Sequence, residues 1–326
     1  MKTTIKLAGL LLGALATAAG NSLAQDAANY PTKPITIILA TGGTGSIDTE
    51  YRLYQDAIRR QGGPTYILES KGGGGGGIGM AYVAKSAPDG YTMLGAVSSL
   101  ITVPAINDMG FDNVRDFTHI TLFSKRFFML LVHPSSPIRT AQEYIAYARS
   151  HPGELNWSTA GIGSSTHMPG ELLHYMTKTK VTFIHYKAAS QRLLDLIAGR
   201  VHVTSGTPLA ALGYVKAGKL RAIAITGPVR SKLLPDIPTL QEAGVPGYEY
   251  STWLGLLGPA RLSPQVVNKN LEVFRAAARD PDVMKRFEAD EVMSIMSSPD
   301  EFRQFVIAEN KRWGRIIKDA GIKFED

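Results

Sequence analysis

At three places a glycine-rich turn follows a short apolar run and precedes a helical pattern. This punctuation narrows the choice of fold more than any other feature. The segments are ATGGTGSID (40–48), SKGGGGGGIG (70–79) and AGIGSSTH (160–167). Ahead of them stand ITIILA (35–40), TYILES (65–70) and LNWSTAG (155–161), each of strand length. Behind the first, SIDTEYRLYQDAIRRQGG reads as a helix. Ser46 can cap it, Asp48 and Glu50 suit its positive first turn, and Gly62 ends it. Strand, turn, helix and strand in this order predict an α/β fold built on parallel strands.

The pattern continues along the chain. YTMLGA (91–96), FFMLLVH (127–133), VTFIHY (181–186), RVHVTSG (200–206) and LRAIAITG (220–227) read as strands. TAQEYIAYARS (140–150) reads as a helix, with Thr140 and Glu143 spaced as a capping box. Met168, Leu172, Tyr175 and Met176 share one helical face, SQRLLDLIAG is a helix stopped by Gly199, and 208–217 is another stopped by Gly218. Near the end, STWLGLLGP (251–259) is an extended apolar crossing, and Ser263–Pro264 and Ser298–Pro299 open two further helices. A chain of 326 residues at roughly 150 per domain suggests two domains. The element order places residues 25–125 plus 248–326 in one lobe and 126–247 in the other. A ligand cleft is expected between them.

The N-terminus reads as an export signal, residues 1–24. Lys2 and Lys6 form a basic start, LAGLLLGALATAAG (7–20) an apolar core too short to span a bilayer, and SLA (22–24) a small-residue cut site near Ala24. The expected compartment is a bacterial periplasm. No cysteine is present, so neither a disulfide nor a cysteine-linked lipid is available and stability must come from the core. Hydrophobic residues make up 44% and charged residues 19%, which suits a packed globule rather than a disordered chain. The formal charge of +7 is scattered without a basic run, so no nucleic-acid partner is expected.

All three glycine turns fall at carboxyl ends of strands, where parallel sheets bind ligands. Glycine lets main-chain N–H groups approach an anion, and the following helix adds its own unpaired N–H groups. Such loops on two lobes are expected to clamp a carboxylate without any arginine. A phosphate loop is excluded, because no glycine run ends in Gly-Lys-Ser/Thr and GTGSID is not G-x-G-x-x-G. No G-x-S-x-G elbow appears. His167 reads as a cap and packing residue, and His174, His185 and His202 lack metal-ligand spacing. The chain is therefore expected not to be an enzyme, with no cofactor and no metal. The alternative, an exported hydrolase, would use Ser164 or Ser165 with His167.

Several motifs in order carry a family resemblance. They are YPTKPITIILATGGTGSIDTEYR, GGIGMAYVAKSAPDGYTML, RDFTHIT, LNWSTAGIGSSTHMPGELL, IHYKAASQRLLDLIAGRV, VKAGKLRAIAITG and LPDIPTLQEAGVPGYEYSTWLGLLGPA. Over about Tyr30 to Ile322 the chain resembles the Bug family, periplasmic solute-binding receptors of tripartite tricarboxylate transporters. The resemblance implies a type II, flytrap-like periplasmic binding protein with a parallel-rich sheet in each lobe. It also implies a carboxylate held by loop main chain and hydroxyls, integral-membrane permease subunits as partners, and a monomer. Feeding a sensory receptor instead of a permease stays open. At matching positions it implies ligand contacts from Thr41, Gly42, Gly43, Thr44, Gly45 and Ser46, from Gly76, Gly77 and Ile78, and from Ser98 and Ser99. In the second lobe it implies Gly163, Ser164, Ser165 and His167, then Tyr186, Gly206 and Thr207. Within the six-glycine run the last glycines, near Ile78, are expected to touch ligand and the first to serve the turn. Where amino-acid-binding members carry Asp this chain has Gly206. The resemblance thus implies a small organic carboxylate without an amino group, a di- or aromatic carboxylate included, with space at Gly206 for a bulky body.

Overall fold

The computed structural model describes residues 29–40, 46–186 and 190–323. The export signal, the first glycine loop (41–45) and residues 187–189 lie outside the described residues, as does the side chain of Ser46. In chain order the first elements are β1 (Ile35–Leu39), α1 (Ser46–Arg60), β2 (Tyr66–Ser70), a 3-10 turn (Gly74–Gly76), α2 (Gly77–Ala84), β3 (Thr92–Val97), α3 (Ser99–Ile106) and β4 (Phe117–Phe127). There follow β5 (Met129–Val132), α4 (Ala141–Ser150), β6 (Asn156–Thr159), α5 (Met168–Thr177), β7 (Thr182–His185), α6 (Gln191–Ile197), β8 (Val203–Gly206), α7 (Pro208–Lys216) and β9 (Arg221–Ile225). The chain closes with β10 (Ser251–Pro259), α8 (Pro264–Ala277), α9 (Pro281–Ala289), β11 (Met293–Ser294) and α10 (Pro299–Ala320).

These strands form two sheets, so the molecule is two-lobed. The first has the order β11-β4-β10-β3-β1-β2 and the second β7-β6-β8-β5-β9. Both are mixed. β1 is parallel to β2 and β3, and β6 to β7 and β8, where the glycine turns lead into helices. β10 runs antiparallel to β3 and β4, and β5 antiparallel to β8 and β9. The reason is connectivity: β4 carries the chain out of the first sheet into β5, and β10 brings it back, so these strands enter against the parallel direction.

Local sequence sets the helix ends as expected. The Thr140 and Ser298 side chains each accept from the N–H three residues on, and Glu143 and Glu301 reach back in full capping boxes. Asp280 caps α9 by accepting from Asp282 and Val283, a start that the sequence reading lacked. Large aromatics fill the first lobe. Phe123 stacks on Phe274 with centroids 4.6 Å apart, and Tyr54 packs edge-on to Phe274 and Phe287. Trp253, fully buried on β10, meets Phe302 and Phe305 of α10 edge-on.

Two buried histidines set an acid limit. His174 sits between Tyr144 OH at 3.0 Å and Thr179 Oγ1 at 2.7 Å, and burial lowers its pKa to about 3. For His119 burial, assisted by Arg303, lowers it to about 4. Both bind fewer protons folded than unfolded, so their contribution is intact above the unfolded value near 6.5 and is lost as pH falls toward 4. The expected slope is up to about 1.4 kcal/mol per pH unit for each. Urea melts between pH 4.5 and 6.5 check this: His174→Asn should flatten the slope by about half, and an unchanged slope would contradict it.

Candidate binding cleft

A cleft of about 970 Å³ opens between the two sheets. The first lobe lines it with Ala40, Ile47, Thr49, Gly72 to Gly76, Ser99, Arg126 and Thr252. The second lobe contributes Ala160, Gly161, Ser164, Ser165, Thr166, Tyr186, Arg192 and Thr207. The segments after β2, β3, β6, β7 and β8 all reach it, so carboxyl ends of strands converge on one site, as parallel sheet architecture favours.

The glycine run earns its composition through backbone conformation. Gly73, Gly74, Gly75 and Gly76 all have positive φ, at 113°, 55°, 64° and 108°, where side chains other than glycine are strained. Close approach adds a second constraint at Gly75. A Cβ there would lie 2.7 Å from the Ile162 carbonyl oxygen, across the cleft, and 2.8 Å from Val103 Cγ2. The N–H groups of Gly74 and Gly75 donate to no protein group among the described residues. Both glycines line the cleft.

The facing loop of the second lobe is braced from behind. Thr166 Oγ1 accepts from Ala160 N at 2.8 Å, and the Thr166 carbonyl accepts from Trp157 Nε1 at 3.3 Å and Ser205 Oγ at 3.2 Å. His167 Nδ1 accepts from Gly163 N at 3.1 Å while its Nε2 lies 3.0 Å from Glu171 Oε1. Both ring nitrogens are thus committed, so His167 braces the loop and cannot serve Ser164 or Ser165 as a base. Thr102 of α3 donates to the Gly163 carbonyl at 2.5 Å, which ties the lobes together beside Gly75.

Unpartnered polar atoms gather in this cleft. Ser99 Oγ, Thr207 Oγ1, Arg126 Nε and Nη1, and Arg192 Nε are buried without a hydrogen-bond partner among the described residues. Native proteins leave few such groups, and each calls for an explanation. Arg126, 1% exposed, pairs with Glu50 of α1, which also accepts from Ser124 Oγ at 2.5 Å. Among the described residues the Arg192 guanidinium is bonded only to Thr204 Oγ1 at 2.9 Å and the Ser205 carbonyl at 2.6 Å. Burial lowers the pKa of each arginine to about 10, and both stay charged at neutral pH.

Of the residues expected from sequence, Gly76, Ser99, Ser164, Ser165, Tyr186 and Thr207 come together on the cleft wall. Tyr186 is held by its hydroxyl donating to Asp195 at 2.8 Å. Six positions depart from expectation. Gly77 and Ile78 are outside the lining, with Ile78 turned out at 57% exposure, so the run meets the cleft with its first five glycines instead of its last. Ser98 is spent on Thr252 Oγ1 at 3.1 Å and Tyr250 OH at 3.4 Å. Gly163 and His167 support the loop from behind. Gly206 faces Leu131 and Ala211, which a Cβ would meet at 2.9 Å and 3.1 Å, so it opens no space for a bulky ligand. Thr41 to Gly45 lie outside the described residues, flanked by the lining residues Ala40 and Ile47.

Sequence reasoning missed the two arginines. Arg126 sits on a strand with no motif around it, Arg192 sits in a motif that assigns it no ligand contact, and only the fold turns them inward.

A two-lobed α/β molecule with strand ends and loop N–H groups converging on an interlobe cleft is a periplasmic binding protein. The chain matches the model of the tripartite tricarboxylate transporter family receptor over residues 51–322 and belongs to that family. It is 31% identical over 309 residues to a protein of the gbd 5'region of Cupriavidus necator, covering 95% of this chain and 94% of that one. The periplasmic binding protein BugD superposes with a TM-score of 0.86 at 26% identity, over 91% of this chain and all of that one. The R. palustris protein Rpa4515, solved with adipate, superposes with a TM-score of 0.84 at 29% identity, over 90% of this chain and 99% of that one. The family and these neighbours are solute-binding proteins and not enzymes.

Proposed function

We propose that the protein captures a small organic carboxylate without an amino group between its lobes and delivers it to the permease of a tripartite tricarboxylate-type transporter. The observation that carries this reading is the convergence of unpartnered donors from both lobes on one cleft. Gly74 and Gly75 N–H, Ser99 Oγ, Thr207 Oγ1 and the two arginines can all donate and lack a partner at these atoms among the described residues, whose lining has no Asp or Glu. A carboxylate is an acceptor-only group that satisfies such a set. An ammonium would face guanidinium groups with no carboxylate to receive it. Adipate in a neighbour of 29% identity supports the same class.

In this reading the two lobes, with the first crossover two residues later than 125 because β4 of the first sheet runs to Phe127, close by a hinge motion as the acid bridges them. The protein works as a monomer in the periplasm after cleavage near Ala24, and its closed surface meets the permease. No helix among the described residues is long and apolar enough to cross a membrane, which suits a carrier that shuttles. A thermal-shift screen of mono-, di- and tricarboxylates tests the reading. A true ligand at a hundred times its Kd adds about 2.7 kcal/mol of stability. Stabilisation by α-amino acids alone, with none by plain carboxylates, would overturn it.

A further inference from the structure

Arg192 is a guanidinium in the cleft wall with no carboxylate to neutralise it. It is 5% exposed, and its Nε has no partner. The one acid of its own helix, Asp195, is taken by Arg200, Gln191 and Tyr186. Among the described residues its guanidinium bonds only neutral groups, Thr204 Oγ1 and the Ser205 carbonyl. Arg126, across the cleft, is different: Glu50 neutralises it. With no Asp or Glu among the described lining residues, Arg192 supplies the net charge of the site. Burying an unpaired charge is costly, and removing its compensation is strongly destabilising. Its bonds to Thr204 and Ser205 fix the group in place but bring no negative charge. They hold a planar fork ready for a carboxylate, the partner whose geometry it matches.

We infer that Arg192 is the anchor for a second carboxylate, so that the ligand is a small dianionic acid. One carboxylate meets the free N–H groups of Gly74 and Gly75 with Ser99, and the other meets Arg192. The inference rests on the reading of this cleft as a carboxylate site. It assigns to a single side chain the preference for diacids over monoacids.

Calorimetry with matched probes separates the two claims. The probes are succinate, glutarate and adipate, the monoamide of each, and hexanoate, titrated into the wild type, Arg192→Gln and Arg192→Lys. The wild type should prefer the best diacid over its own monoamide by about 100-fold, a size in keeping with desolvated charge pairs. Arg192→Gln should bring that ratio to within about threefold. Arg192→Lys should keep part of the preference. A merely structural Arg192 would weaken diacid and monoamide alike and leave the ratio unchanged, which overturns the inference. Equal binding of monoamide and diacid by the wild type overturns it too, without any variant having to fold, and leaves the carboxylate reading standing. Failure of every carboxylate to bind removes that reading, and the inference with it.

Discussion

Gly75→Val should lower carboxylate affinity by about 100-fold while leaving the melting temperature within a few degrees of wild type. Two costs meet at this residue. Its φ of 64° is a genuine outlier for a β-branched side chain, worth on the order of 1–3 kcal/mol. Its Cβ would also press on the Ile162 carbonyl of the facing loop at 2.7 Å. A carbonyl in a braced loop cannot swing away as a side chain can, so the lobes must part. The φ strain and the Val103 side chain at 2.8 Å weigh on the open and approached states alike, but the carbonyl clash penalises the approached state alone, and apparent affinity falls with the population able to bind. Gly77→Ala is the control. Gly77 has helical φ of −57°, and its Cβ would meet the flexible end of Met109. Calorimetry on both variants decides the matter, since equal affinity losses would reduce the run to a turn.

The second large effect is on stability. Glu50 and Arg126 are each about 1% exposed in their side chains and are paired beneath the cleft. Glu50→Ala strands the guanidinium, whose only other bond among the described residues is to Ser124 Oγ at 3.4 Å. Breaking one side of a buried pair costs about 3–5 kcal/mol, which in a chain of this size lowers the melting temperature by roughly 10 °C. Replacing both partners, Glu50→Leu with Arg126→Met, should restore most of the loss, because the desolvation penalty leaves with the charges. Chemical denaturation of the two variants tests this. A double variant as unstable as the single would show that the pair stabilises by more than mutual compensation.

Much of the fold was legible because its signals are local. Strands such as 35–39 and 251–259 are apolar runs bounded by glycine or proline, and Thr140 with Glu143 announces its helix. β4 escaped for a physical reason. Its residues His119, Thr121, Ser124 and Arg126 are polar yet buried, so the strand lacks the apolar pattern that sequence reading follows. The same strand delivers Arg126 to the cleft, and hiding the strand hid the residue. Arg192 was illegible on similar grounds. On a helix that reads as an ordinary amphipathic segment, an arginine suggests a solvated face, and only packing against β8 turns it inward. The glycine run was found by composition, but the cleft is lined by Gly72 to Gly76 and not by Gly77 or Ile78. Which end faces the cleft depends on positive φ from Gly73 to Gly76, a property of the loop's path and not of its letters.

The central claim is that a carboxylate is held between the lobes by main-chain donors of the glycine run. A crystal structure with the most stabilising carboxylate of the thermal screen tests it most directly. The account predicts carboxylate oxygens at hydrogen-bond distance from Gly74 and Gly75 N–H, with contacts to the 164–166 loop at the same time. A ligand bound to one lobe alone, or away from Gly72 to Gly76, would contradict it.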